Sequence, residues 1–147
     1  MVRDVFDTFP GYRPAGPLGG RYEIRALLAS GGMAEVFDAR DTVLERRVAI
    51  KILHATYGAD SEFVERFRRE AMAAGRLNHP NIVQVYDWGR SEEGAAYMVM
   101  ELVEGSTLRE ILNRRGSIPA PEAARIAQQV CGALEVARRA EIVHRDI

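Results

Sequence analysis

Apolar and polar side chains alternate along the first part of this chain. Tyr22, Ile24, Ala26 and Leu28 alternate with Glu23, Arg25 and Leu27, and a period of two predicts a strand. Ala29-Ser30-Gly31-Gly32-Met33-Ala34 comes next, small throughout except for Met33, and Val36-Phe37-Asp38-Ala39-Arg40 reads as a second strand. Strand, small-residue turn and strand make a hairpin. Residues 46–53 form a third strand, with Val48, Ile50 and Ile52 on one face and Ala49, Lys51 and Leu53 on the other.

The period then changes. Residues 61–76 read as a helix, with Ser61 able to cap its start and Glu62 in the first turn favouring the helix dipole. Phe63, Phe67, Glu70 (or Ala71) and Ala74 follow the spacing of one helical face. Glu70 falls on or beside that apolar stripe, and a carboxylate there wants a partner. Arg66 or Arg69 on the same helix could supply one. Asn78-His79-Pro80-Asn81 breaks the chain. Residues 82–88 and 95–102 read as the fourth and fifth strands, joined by a polar turn. Thr107-Leu108-Arg109-Glu110 matches a capping box and starts a short helix to about residue 115. Pro121 and Glu122 open a longer one, whose apolar face is Ala123, Ile126, Ala127, Val130, Leu134 and Ala137. Residues 1–21 hold Pro10, Gly11, Pro14, Gly16, Pro17, Gly19 and Gly20. That density of breakers predicts a flexible leader. The fold class is α+β.

Composition narrows the classes. With 147 residues, 47% apolar and 28% charged, the chain can bury a core and keep a soluble surface. A net charge of −1 leaves no electrostatic footprint for nucleic acid or an acidic membrane surface. Cys131 is the one cysteine, so no internal disulfide forms, and its apolar helical setting predicts a small buried thiol. His54, His79 and His144 lack metal-site spacing, and no metal ligands are predicted. No apolar run is long enough to span a bilayer, and the N-terminus has no apolar signal core. A cytoplasmic location is expected.

Lys51 stands out chemically. It is the only lysine among twenty Lys and Arg residues. A compact point charge on a thin stem is wanted where a planar guanidinium would not fit, or else a bias toward arginine left one lysine over. Ala49 beside it leaves room for a flat ligand next to a positive charge. The hairpin turn has an unshielded backbone whose N–H groups can approach an anion, although an ordinary Gly-Gly hairpin has the same pattern. No Gly-Lys pair occurs, which excludes a Walker-type phosphate loop.

Taken in order, the glycine hairpin, Val48-Ala49-Ile50-Lys51, a helix with Glu70, His79-Pro80-Asn81-Ile82-Val83, Met100-Glu101-Leu102-Val103-Glu104-Gly105 and His144-Arg145-Asp146 resemble the eukaryotic-type protein kinase domain in its bacterial serine/threonine form. The resemblance runs from about Arg21 to Ile147. It implies a five-stranded antiparallel sheet plus one helix (residues 22–104, kinase N-lobe and hinge), followed by the start of an incomplete helical C-lobe (residues 105–147). It implies ATP as cofactor and a protein carrying Ser or Thr as substrate. By resemblance, Leu28, Ala29, Ser30, Gly31, Gly32, Met33, Ala34 and Val36 belong to the nucleotide-covering loop, with alanines at positions 29 and 34 where the pattern has glycines. Val36 and Ala49 would sandwich adenine from above. Lys51 would hold the α- and β-phosphates and be held by Glu70. Met100 resembles the residue guarding the back of the adenine pocket, and Glu101 and Val103 would offer backbone hydrogen bonds to the adenine edge. Asp146 would accept the substrate hydroxyl proton.

The family pattern continues with Lys-Pro-x-x-Asn and Asp-Phe-Gly, which supply its magnesium ligands. Neither motif occurs in these 147 residues. The resemblance therefore implies roughly half of a kinase domain, inactive as this chain alone, with Mg ligands not present. A kinase-lobe fragment acting as a protein-interaction module is the alternative. Whether a membrane span comes after the catalytic region, as in receptor-like relatives, is left open.

Overall fold

In the computed structural model, which describes residues 16–58 and 60–143, five strands and four helices succeed one another: β1 (Tyr22–Ser30), β2 (Ala34–Asp41), β3 (Arg46–Leu53), α1 (Ala55–Gly58), α2 (Ser61–Ala74), β4 (Val85–Arg90), β5 (Ala96–Met100), α3 (Leu108–Arg115) and α4 (Ala120–Arg139). The strands form one antiparallel sheet in the order β1-β2-β3-β5-β4. The described residues divide into two compact units. One comprises residues up to Arg76 and Gln84–Leu102, and the other Leu77–Val83 and residues from Val103.

Alternation along β2 and β3 puts Phe37, Ala39, Val48, Ile50 and Ile52 on one sheet face. There they pack with Tyr22, Tyr97 and Val99 as a buried cluster. The opposite face carries Leu53, Ala96 and Met98 against Val64, Phe67 and Ala71 of α2. β1 departs from strict alternation. Register shifts fall between Ile24 and Ala26 and between Leu27 and Ala29. Each bulge adds a residue and flips the face of the residues beyond it. Leu27 thus packs on the core while Leu28 is half exposed, the reverse of the period-two expectation.

Leu18 lies within the stretch read as leader, yet it is 1% exposed and part of the core. Its N–H donates to the Tyr22 carbonyl at 2.8 Å, and the Tyr22 N–H returns the bond at 3.0 Å. The tight return uses Gly19 at φ +57° and Gly20 at φ +67°, backbone that side-chain-bearing residues rarely adopt. Next to it, the Tyr22 hydroxyl donates to Asp87 Oδ2 at 2.8 Å. That bond joins β1 to β4, the two outer strands, so the sheet curls enough for a side chain on one edge to reach the other. Arg21 donates to both carboxylate oxygens of Asp41, at 2.8 and 2.7 Å. The Arg21 guanidinium, helped by the N–H groups of Val43 and Leu44, holds the Asp41 carboxyl down at about 2 against the opposing effect of burial. Burial, then the bond to Asp87, pushes the Tyr22 phenol well above its usual range.

The stripe of α2 is Val64, Phe67 and Ala71, one position on from a stripe led by Phe63. Phe63 instead packs against Tyr57 of α1 at 4.9 Å between ring centroids. The N-cap is Asp60 rather than Ser61, its carboxylate accepting from the Glu62 N–H at 2.9 Å. A cap must precede the first helical residue, and Ser61 is already inside.

In the second unit, Thr107 and Glu110 close the predicted capping box around α3. Arg115 donates to Glu122 at 3.1 Å and so ties α3 to α4. Within the same unit, His79 Nδ1 accepts from the Asn81 N–H at 3.1 Å. Cys131 is exposed, which corrects the expectation of a buried thiol. A helical stripe is buried only where something packs on it, and Val130 beside it is exposed too, while Ala137 is buried.

Candidate functional site

Cross-strand partners point to the same side of a sheet, so the register builds the site. Ala29 pairs with Val36, Val36 with Lys51 and Lys51 with Met98. The adjacent row runs Ala26, Asp38, Ala49 and Met100. Val36, Ala49, Lys51 and Met100, singled out separately in the sequence, therefore share the face on which α2 packs. Asp38, which sequence reasoning passed over, sits among them. Its Oδ2 accepts from Arg47 at 2.9 Å, and its Oδ1 is buried with no hydrogen-bond partner.

Lys51 Nζ donates to Glu70 Oε1 at 3.2 Å and lies 5.6 Å from the Phe67 ring centroid. The same-helix alternatives are taken: Arg66 reaches Glu62 at 3.5 Å, and Arg69 reaches Glu65 at 3.2 Å. Val64, Phe67 and Ala71 face the sheet, so the neighbouring position 70 reaches its margin. The Lys51 side chain is 32% exposed and that of Glu70 60%. An ion pair this wet adds about 0–1 kcal/mol to stability. It serves to hold an ammonium in place beside an open surface rather than to hold the fold together.

The hairpin turn between β1 and β2 is closed by the Gly31 N–H donating to the Ala34 carbonyl at 2.9 Å. Among the described residues, non-glycine positive φ occurs at Glu45 and Glu141, so the alanines at positions 29 and 34 sit in the turn without strain. A Cβ built on Gly32 would meet nothing within 4 Å. The turn is thus tied at its base and open at its apex. His54, a residue sequence reasoning did not connect with the turn, reaches it twice. Its N–H donates to the Met33 carbonyl at 2.9 Å, and its Nε2 lies 3.0 Å from the Gly31 carbonyl oxygen. Its place three residues after Lys51, where β3 runs out, was the available signal.

At the end of β5 the Glu101 N–H donates to the Gln84 carbonyl at 2.9 Å, and the Glu101 carboxylate accepts from the Gln84 N–H at 3.3 Å. Of the Glu101 backbone groups, the carbonyl is the one left to offer a ligand. Leu28 stands half exposed at the bulge, and Val103 belongs to the second unit, also exposed. Asp146 and its neighbours His144 and Arg145 lie outside the described residues. Among the described residues no group of three His, Cys, Asp or Glu could hold a metal ion, and no helix is long and apolar enough to cross a membrane.

Comparison with known proteins agrees with this geometry. The protein kinase domain family matches residues 22–147. The chain is 48% identical over 130 residues to the serine/threonine-protein kinase PrkC of Bacillus subtilis (strain 168), covering 88% of this chain and 20% of that protein. It is 46% identical over 134 residues to the serine/threonine-protein kinase PknA of Mycobacterium tuberculosis (strain ATCC 25618 / H37Rv), covering 88% of this chain and 31% of the relative. The solved structure of the M. tuberculosis PknI kinase domain superposes with a TM-score of 0.78 at 30% identity, over 92% of this chain and 54% of that domain. The chain spans about half the length of the solved kinase domain it matches, and a fifth to a third of the curated relatives. With a matched family, a shared fold and a lysine–glutamate pair beside a glycine hairpin, the chain belongs to the protein kinase domain family.

Proposed function

We propose that these residues form the nucleotide-holding part of an ATP-dependent serine/threonine protein kinase. The single observation carrying this is the Lys51–Glu70 pair at 3.2 Å, one strand over from an open glycine turn. Positioning and charge neutralisation are most of what phosphoryl transfer asks of a protein. Lys51 offers its ammonium to phosphate oxygens while Glu70 fixes where that ammonium sits. Gly31 and Gly32 leave backbone N–H groups within reach of the same anion, with Ser30, Met33 and Ala34 completing the turn. Val36 and Ala49 offer a low apolar surface to a purine ring, Met100 flanks it, and the Glu101 carbonyl accepts from its amino edge, with Leu28 at the margin. ATP supplies the transferable γ-phosphoryl group. Asp146 is the residue proposed to take the proton from a Ser or Thr hydroxyl of a protein substrate. The described residues do not fit a magnesium site, since no three His, Cys, Asp or Glu side chains come together among them. Dependence on ATP favours a cytoplasmic location for this region.

The test joins these 147 residues to the remaining half of a relative's domain and follows transfer of labelled phosphate to a generic protein substrate. Transfer that is lost in Asp146→Asn is expected. Its absence from the joined protein, with the relative's own domain active in parallel, would overturn the reading. A second reading, a protein-interaction module, rests on Leu108, Leu112 and Val130, exposed on α3 and α4. The 147-residue chain alone is expected to transfer no phosphate above background.

A further inference from the structure

We infer that His54 is a positioning residue that holds the glycine turn in the conformation that receives a phosphate, an inference resting on the nucleotide reading. The turn has two limbs, and His54 bonds to both: through its backbone to Met33 and through its ring to Gly31. The Gly31 carbonyl can only accept, so Nε2 carries the proton in this contact. A trans peptide is planar, and its C=O and N–H point opposite ways. Pinning the Gly31 carbonyl toward His54 therefore turns the Gly32 N–H of the same peptide unit away from β3. That N–H has no hydrogen-bond partner among the described residues, and a Cβ at Gly32 would meet nothing. A free, fixed backbone donor at an open apex is what an anion binds.

Two adjacent glycines would otherwise leave this peptide free to rotate. His54 restricts it from a site just beyond Lys51, so the donor in the turn is fixed relative to the strand that carries the ammonium. A phosphate then meets two groups whose spacing is already set, and less ordering remains to be done on binding.

The experiment uses the 147-residue chain and three forms: unaltered, His54→Ala, and His54→Gln, whose side-chain amide also places a donor nitrogen four bonds from Cα. Amide exchange at Gly31 to Ala34 is followed by NMR without ligand, and ATP and adenosine are then titrated separately. His54→Ala is expected to speed exchange in the turn by about fivefold and to weaken ATP by a similar factor, the loss of one neutral hydrogen bond. Adenosine, which has no phosphate, keeps its affinity, and His54→Gln recovers most of both effects. Unchanged exchange in His54→Ala overturns the latch. Equal weakening of ATP and adenosine overturns the positioning role in favour of a general structural one. If the turn responds to His54→Ala but neither the unaltered chain nor the same chain joined to a relative's remaining half-domain binds either ligand, the nucleotide reading itself fails, and the positioning role with it.

Discussion

The first three strands end very differently at their two extremities. At one end Tyr22, Asp41 and Arg46 stand opposite one another, with Leu18 over them and Tyr22, Leu18 and Asp41 fully buried. Arg21 is bonded twice to Asp41, Tyr22 to Asp87, and the Arg46 guanidinium lies 3.8 Å from the Tyr86 ring centroid. At the other end Ser30, Ala34 and Leu53 lead into a turn with an open apex, held by single hydrogen bonds and flanked by a wet ion pair. Stability is not uniform across a fold, and segments that must admit a ligand come from its less protected parts. The buried end lets the sheet tolerate a loosely held one. The charged groups at the two ends therefore differ: Asp41 supports the fold, and Lys51 is the residue proposed to serve the reaction.

The sharpest way to break this contrast is Lys51→Arg in the kinase completed with a relative's remaining half-domain. Charge is kept, but the broader guanidinium misplaces the phosphates, and about 1 Å of displacement can lower the rate on the order of a hundredfold. The thermal midpoint should hardly move, because the pair contributes about 1 kcal/mol at most. A large fall in midpoint with activity intact would reverse the roles assigned to the two ends. Arg25→Lys should leave activity unchanged.

Asp41→Asn should do the opposite. Losing a charged, doubly hydrogen-bonded partner in a buried setting lowers stability by about 2–3 kcal/mol, read from urea unfolding, while hydrogen exchange in the glycine turn stays as it was. The acid limb sharpens the point. The Asp41 carboxyl sits at about 2 in the fold against an ordinary 3.8, so the unfolded chain binds its proton first. The stabilisation is complete above about pH 4 and is lost as pH falls through about 2. Asp41→Asn should flatten that segment of the stability curve, and an unchanged slope there would remove Asp41 from the account.

A smaller effect is expected at Gly89, where an added Cβ would fall 2.5 Å from the Tyr97 hydroxyl oxygen. Gly89→Ala forces the ring to shift, at about 1–3 kcal/mol by denaturant unfolding. Smallest of all is Glu135→Gln. Arg138 and Arg139 hold the Glu135 carboxyl at about 2, but every partner is exposed, so solvent screens the interaction. No measurable change in unfolding midpoint is expected. A loss like that of Asp41→Asn would show that ion pairing alone, without burial, sets the stability of this chain.

Residue types and their spacing alone determined a good deal here. The period of β3 put Lys51 and Ala49 on one face, Thr107 and Glu110 announced their capping box, and the ordered motifs pointed to the family. Local pattern carries such information because strand faces and helix caps depend on neighbours a few residues away. What only the tertiary structure decided involves long separations. The partner of Glu70 had three candidates in sequence, and the choice of Lys51 came once α2 lay against the sheet and Glu62 and Glu65 engaged the arginines. Leu18 and Gly19 look like linker until the curled sheet gives them Tyr22 and Tyr97 to pack against. The bulges in β1 exchanged the roles of Leu27 and Leu28, since a bulge is set by pairing with β2 and not by composition. His54 meets the glycine turn 23 residues away only because β2 and β3 run back to back in register. Packing and pairing are properties of the folded chain, and no local rule reaches across those distances.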